Sequence, residues 1–348
     1  MTKKNISLLV ISTFCTFLFA YNPPASGEVL YELSTPVSLA SASSVAGGGL
    51  WNENTAQIVI NPSLLATEQR MVGNIAYTAL INSNDEDSYG QSVYAGASIP
   101  TQYGVFTSSV QWAYIPLDSV YLGNSCTLRG AYSKDITDNL FVGAGLYGGF
   151  GSDWSLGFDL GFLYNFGSLN KIPFLSDVRW GGSLTGIGKS YNPETTGYVD
   201  ADDSTTGIPS MFTPRTGVAA TVLNVNKVKM GLSADVSFPT FQNVIFDSGL
   251  QVEIADFLYV NGGWEFNLRE TLHDVASYLP SVSVSMKFGI ASKDDSYLAE
   301  HGWSESEIVP TVAYRELTND TQVFSSGVSM YLGLPDTAAP EITLWEEE

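Results

Sequence analysis

Trp154-Ser155-Leu156-Gly157-Phe158-Asp159-Leu160-Gly161-Phe162-Leu163-Tyr164-Asn165-Phe166 alternates large apolar side chains with small or polar ones along its whole length. A period of two belongs to a β-strand, whose successive side chains leave on opposite faces. One face carries Trp154, Leu156, Phe158, Leu160, Phe162, Tyr164 and Phe166, and the other carries Ser155, Gly157, Asp159, Gly161, Leu163 and Asn165. In a soluble sandwich the apolar face is the core. In a membrane barrel it meets lipid, and aromatic residues gather at its two ends, where the bilayer interfaces lie. Trp154 and the Tyr164/Phe166 pair hold those ends, about ten residues apart, which at a tilted strand's rise suits an apolar band about 25 Å tall.

The pattern repeats. Phe106, Val110, Trp112 and Tyr114 alternate with Thr107, Ser109 and Gln111; Val282, Val284, Met286, Phe288 and Ile290 alternate with Ser281, Ser283, Ser285, Lys287 and Gly289. In-strand charges give a sharper test, because a charge facing lipid at mid-depth costs about 2 to 4 kcal/mol while one facing a wet lumen does not. Arg129, Asp159, Arg179, Lys229, Asp235, Glu253, Glu265, Arg269 and Lys287 all fall opposite the apolar face. The fold expected is all-β: a transmembrane antiparallel β-barrel.

Strands are expected at 71–81, 91–99, 103–114, 124–133, 139–149, 154–166, 177–188, 212–223, 227–238, 243–254, 257–269, 281–290, 308–316 and 322–332. That is about 14, an even number that leaves both barrel ends on the periplasmic side, within a range of roughly twelve to sixteen. Odd-numbered strands then run outward, so the acidic stretch from Lys189 to Pro214 becomes an external loop. The connection from Ala291 to Glu307 is long for a periplasmic turn and resists the scheme.

Residues 28–69 read differently. Ser41-Ala42-Ser43-Ser44-Val45-Ala46-Gly47-Gly48-Gly49 and Asn61-Pro62-Ser63-Leu64-Leu65 show little alternation. Such small residues let a backbone lie close to a wall, so this stretch is expected to be a short plug ahead of a barrel spanning 70–334. Before it, Lys3 and Lys4, an apolar core from Ile6 to Phe19 and small residues beyond have the layout of a signal peptide over 1–27, with cleavage after Ala20 or Gly27. Phe14 before Cys15 is too large for a lipoprotein signal. An acidic tail occupies 335–348.

Charge and cysteine content exclude several classes. The net charge is −21, and removal of Lys3 and Lys4 leaves 13 basic against 36 acidic residues, or −23. Such a chain repels nucleic acid and anionic surfaces. Once the signal is gone Cys126 is the only thiol, so no intramolecular disulfide forms. Gly143-Ala144-Gly145-Leu146-Tyr147-Gly148 matches a dinucleotide fingerprint by letter, but another strand follows where a helix should open. Gly186-Ile187-Gly188-Lys189-Ser190 has Ser183 where a phosphate loop needs glycine. His273 and His301 sit in different loops without partners at metal-ligand spacing, nothing selects a serine to act with His273, and Asp200, Asp202 and Asp203 read as solvated loop acids. No catalytic residue, metal or cofactor is expected.

Leu39 to Gly49, Asn52 to Thr55 and Asn61-Pro62-Ser63-Leu64-Leu65-Ala66 together resemble the N-terminal hatch of the long-chain fatty-acid transporter (FadL) family of outer-membrane barrels, in which a small-residue stretch leads to Asn-Pro-Ala before the first strand. The stretch is similar above all to a spirochaete branch of that superfamily, and to related barrels attached to a bacterial secretion system. Ser63 stands where the family has alanine. The resemblance implies a hatch that plugs the lumen, with Asn61, Pro62 and Ser63 holding it, and a route by which a hydrophobic molecule leaves sideways into the bilayer.

The expectation that follows is passive uptake of long-chain fatty acids or similar hydrophobic compounds across the outer membrane. Leu50 and Trp51 would form an apolar patch for the tail, and Arg129, Arg179 and Arg269 would meet a carboxylate. Two alternatives stay open: a barrel that docks a secreted or surface protein, and a porin for polar solutes.

Overall fold

The computed structural model of the chain describes residues 33–40, 44–51, 54–84, 88–117, 121–151, 154–168, 175–189, 212–241, 243–272, 274, 276–291, 305–317 and 320–333. The signal segment, the acid runs at 85–87, 200–203, 294–295 and 346–348, both histidines, most of the 291–307 connection and the 335–348 tail lie outside the described residues.

Fifteen strand segments follow one another: β1 (Met71–Ile81), β2 (Tyr89–Thr101), β3 (Gly104–Pro116), β4 (Tyr121–Thr137), β5 (Leu140–Gly151), β6 (Trp154–Gly167), β7 (Ser176–Lys189), β8 (Thr213–Val225), β9 (Val228–Ser237), β10 (Ile245–Ile254), β11 (Leu258–Asn267), β12 (Ser281–Met286), β13 (Phe288–Ala291), β14 (Glu305–Glu316) and β15 (Gln322–Leu332). Each is hydrogen-bonded antiparallel to its neighbours, β1 pairs with β15, and β12 pairs with β14, so the sheet closes on itself. Closure leaves only short stretches of β11, β13 and β14 without a ladder partner, and a closed sheet is what can live in lipid.

β12 and β13 share one strand position, giving a fourteen-stranded barrel. The single strand expected at 281–290 breaks at Lys287, whose backbone N–H donates to the Phe257 carbonyl at 2.8 Å and whose Nζ lies 3.0 Å from Glu307. Every other strand overlaps its expected segment, and β1 and β15 match theirs end for end. One end needs correcting. The strand expected to run to Arg269 stops at Asn267, because the Asn267 side-chain oxygen accepts from the Arg269 and Glu270 N–H groups at 3.2 and 3.3 Å and turns the chain into a short helix, Leu268–Leu272.

Burial runs opposite to that of a soluble sheet. On β6, Leu156 is 58% exposed, Phe158 41% and Leu160 42%, whereas Ser155 is 1% and Asp159 3% exposed. The same inversion holds at Phe246, Leu250 and Ile254 against Asp247, Gln251 and Glu253 on β10. Water would punish so wide an apolar exterior; a bilayer welcomes it. Aromatic contacts cluster at both ends of the barrel, with Tyr164–Phe166, Phe106–Tyr132 and Phe257–Phe288 at the end where β1 begins, and Phe212–Phe241, Trp264–Phe266 and Tyr314–Phe324 at the far end. A closed sheet with an apolar outer band between aromatic girdles is a transmembrane β-barrel of the outer-membrane kind.

The inner wall is polar and largely satisfied across the strands. Asn74 donates to Ser329, Gln111 to Ser92, Asn261 to Ser283 and Thr311 to Ser285, while Thr78 and Ser325 lie 2.8 Å apart. In β7 the ladder carries a bulge opposite Asp159, where Gly186 has φ +72° and its N–H donates to the Asp159 carboxylate at 2.7 Å.

Candidate functional site

The described parts of 33–69 touch inward-facing residues of β1, β2, β5, β6, β7, β9 and β10, which is possible only from inside the barrel. Three short helical pieces stand out among its described residues. The first is Pro36–Leu39, whose first turn is capped by the Thr35 hydroxyl accepting from the Ser38 N–H at 3.3 Å. The second is the 3-10 turn Thr55–Val59, with a capping box between Asn54 and Gln57. The third, Leu64–Thr67, leads directly to β1.

Asn61 is fully buried and uses its whole side-chain amide. Its Nδ2 donates to the Val45 carbonyl at 2.8 Å and the Phe162 carbonyl at 3.0 Å, and its Oδ1 accepts from the Ser63 N–H at 3.0 Å and the Ser63 hydroxyl at 2.7 Å. One amide thus ties two parts of the segment to each other and to β6. Ser63, where the resembling family has alanine, adds a hydroxyl donor to that knot. Pro62 contributes shape. A methyl group at Gly161 would strike Asn61 Oδ1 and stand 2.9 Å from Pro62 Cδ, and one at Gly143 would strike the Pro62 carbonyl. Glycine at these inward positions therefore lets the loop rest on bare backbone of β5 and β6.

A second set of contacts holds residues 44–51 against the opposite wall. The Asp235 carboxylate of β9 accepts from the Ser44 hydroxyl and the Val45 N–H, both at 2.6 Å, and Gln251 Oε1 of β10 accepts from the Leu50 N–H at 2.7 Å. Gly49 lies backbone to backbone on Gly231, where a Cβ on either residue would collide with the other. Arg179, 1% exposed, donates from Nη2 to the Gly48 and Gly49 carbonyls at 2.8 and 3.3 Å, sits 4.6 Å over the Trp51 ring and lies 3.4 Å from Asp177. On a third side the Thr55 N–H donates to Asn74 Oδ1 at 2.9 Å, and its hydroxyl lies 3.0 Å from the buried Tyr94 hydroxyl.

Trp51 and Arg179 are thus brought together, with Leu50 beside them. Arg129 lies elsewhere, 3.1 Å from Asp159 and over the Tyr147 ring, and Arg269 lies on the far-end helix. Asp235, Gln251, Asn74 and Tyr94 carry contacts that sequence reasoning gave to no residue. Asp235 was visible as an inward charge, but an isolated in-strand acid carries no sign of which loop it holds.

Among the described residues the inner wall also carries apolar patches, smaller ones at Phe141, Leu163 and Ala219 and at Val105, and a larger one. Toward the far end, Leu80, Ala113, Ile115, Leu117, Ala313, Leu317 and Val323 form a buried cluster, and the side chains covering it are Leu33 and Leu39 from the N-terminal segment. In a polar-lined lumen this is a patch where an apolar molecule could lie.

No family model and no curated protein sequence matches the chain. Among solved structures, the chain is similar to the TodX monoaromatic hydrocarbon channel deltaS2 mutant at 11% identity and a TM-score of 0.50, over 87% of this chain and 99% of that one. It is also similar to the CymD monoaromatic hydrocarbon channel, at 11% identity and a TM-score of 0.48 over 90% and 100% of the two chains. A Pseudomonas aeruginosa FadL homologue gives 10% identity and a TM-score of 0.45 over 86% and 97%. At 11% identity, the TodX likeness speaks for the fold alone. What the chain shares with that TodX structure is its fold, which here is a closed antiparallel barrel of fourteen strand positions around an N-terminal segment.

Proposed function

We propose that the chain is a passive outer-membrane channel for small hydrophobic molecules, with long-chain fatty acids as one class of cargo, and that residues 28–69 are its hatch. The observation that carries this reading is the apolar patch of Leu80, Ile115, Leu117, Leu317 and Val323 inside a polar lumen, with Leu33 and Leu39 lying where a tail would lie. The far end, which bears the long 190–212 connection, faces the exterior, as long loops of such barrels do. That the TodX structure of like fold is described as a hydrocarbon channel agrees with a hydrophobic cargo.

The hatch residues then have distinct parts. Asn61, Pro62 and Ser63 fix it to β5 and β6, while Leu50 and Trp51 lie at the Arg179 contact, where movement of residues 44–51 would open space. For a fatty acid, the carboxylate is met by Arg269 at the mouth or by exchange at Arg129, which now faces Asp159. The barrel needs no cofactor, since the concentration gradient drives the flow.

The test is uptake and binding of labelled palmitate and of a labelled neutral hydrocarbon by vesicles carrying the refolded barrel. Faster uptake than in protein-free vesicles, slowed by Ile115→Asn, is expected. Equal rates with and without protein, together with no binding, would overturn the reading.

A further inference from the structure

Strand position twelve is short at the far end. β11 pairs with β12 only from Leu258 to Gly263, and β12 pairs with β14 no farther than Val282 opposite Tyr314. Past that level Trp264 to Asn267 of β11 and Arg315 and Glu316 of β14 continue with no β12 residue between them. Two strand edges bared to hydrocarbon are costly, since lipid offers their N–H and C=O groups no partner. Residues from 268 to 280 stand in the notch instead, with Ser277, Tyr278 and Leu279 beside Glu265 and Arg315.

This segment is sorted inside out, as the strands are. Its polar groups are held by the barrel: Glu270 is 5% exposed, the Thr271 hydroxyl donates to the Asn267 carbonyl at 2.8 Å, and the Ser277 hydroxyl donates to Glu316 at 3.3 Å. Arg315 Nη2 donates to Glu265 Oε2 at 2.7 Å across the same notch. The large apolar groups are left outside, Leu272 being 73% exposed, Tyr278 61% and Leu279 54%. A loop in water sorts its side chains the other way, because exposed apolar surface is what water disfavours. Two neighbours widen the surface: the Leu268 N–H donates to the Val244 carbonyl at 3.0 Å, and Val244 and Phe241 are exposed as well. That surface runs without a break into the lipid face of the wall, since Pro280 lines one groove together with Leu250, Trp264 and Val282 of β10, β11 and β12.

We infer that residues 268–280, with Phe241 and Val244, form an apolar ledge seated in the lipid leaflet at the far end, and that it completes the hydrophobic band where strand position twelve falls short. The partner is the lipid surface itself. In the layer where headgroups give way to acyl chains, a tyrosine keeps its hydroxyl among polar groups while leucines reach the chains. The β9–β12 side of the barrel therefore meets lipid farther out than its strands reach, and the bilayer holds the short helix Leu268–Leu272 and the residues after it in place. By the orientation given above this is the outer leaflet; the ledge itself does not depend on what the channel carries.

The experiment asks which solvent touches the ledge. With Cys15 and Cys126 replaced by serine, bimane is attached singly at Leu272→Cys and Leu279→Cys, with two references: Leu250→Cys on the lipid face of β10, and Asp274→Cys, the exposed acid of the same segment. Each barrel is refolded into phosphatidylcholine vesicles, and fluorescence is quenched either by phosphatidylcholine bearing a nitroxide high on its acyl chain or by iodide in the water. Lipid quenching at positions 272 and 279 close to that at 250 and several-fold above that at 274, with iodide quenching in the reverse order, is expected. Iodide quenching at 272 and 279 equal to that at 274 overturns the ledge, since the face then stands in water. Labels that neither quencher reaches overturn it too, since protein then covers the face, whether the 190–212 connection or a second copy of the chain. Neither result touches the channel reading, which the uptake of labelled palmitate tests apart.

Discussion

Gly161 has no side chain, and Asn61 stands where one would be. Gly161→Ala therefore forces the Asn61 amide off its partners, and overpacking of this kind costs about 1 to 3 kcal/mol. The expected result is a barrel of unchanged strand content whose N-terminal segment is cut by protease faster than in the wild type; equal cutting rates would contradict the seat. Asp235→Ala removes both acceptors of the Ser44 hydroxyl and the Val45 N–H, and stranding a buried donor costs about 1 to 3 kcal/mol. Amide exchange at Val45 should quicken, and Asp235→Asn, which keeps one side-chain oxygen, should fall between. Asn61 and Pro62 stood out in the sequence because their chemistry is local. The glycines that receive them did not, since a glycine in a strand looks the same whether it faces a plug, water or another ring.

Along a strand the sequence was far more legible. In β6, alternation alone placed both ends within a residue and told the lipid face from the lumen face. Leu160, in the middle of that outer face, gives the matching prediction: Leu160→Arg should destabilise the barrel in bilayers by about 2 to 4 kcal/mol in denaturant titration. A change within experimental error would mean that the face is not in lipid. Where alternation ended, side-chain chemistry decided instead. Asn267 stops β11 by capping the turn that carries Arg269 away, and Lys287 splits the twelfth strand position through a bond to a turn on its neighbour. Neither effect has a period, so neither was visible before the strands were side by side.

For the molecule as a whole, period and charge placement were enough to give a closed barrel, because the charges within the apolar band had to find the inside. What they did not give was the meeting of distant parts: Asp159 with Arg129, Glu265 with Arg315, and Leu33 with a patch assembled from β1, β3, β14, β15 and the turns beyond them. Those pairs are set by barrel closure and strand register, which depend on all fourteen strand positions at once. A channel kept shut by its own N-terminal segment must open when that segment is removed. Single-channel current through planar bilayers tests that most directly, comparing the full barrel with a form lacking residues 28–69 and with Gly161→Ala. The prediction is a nearly silent full barrel, steady large openings on deletion and flickering openings for Gly161→Ala. The same conductance in all three would contradict it.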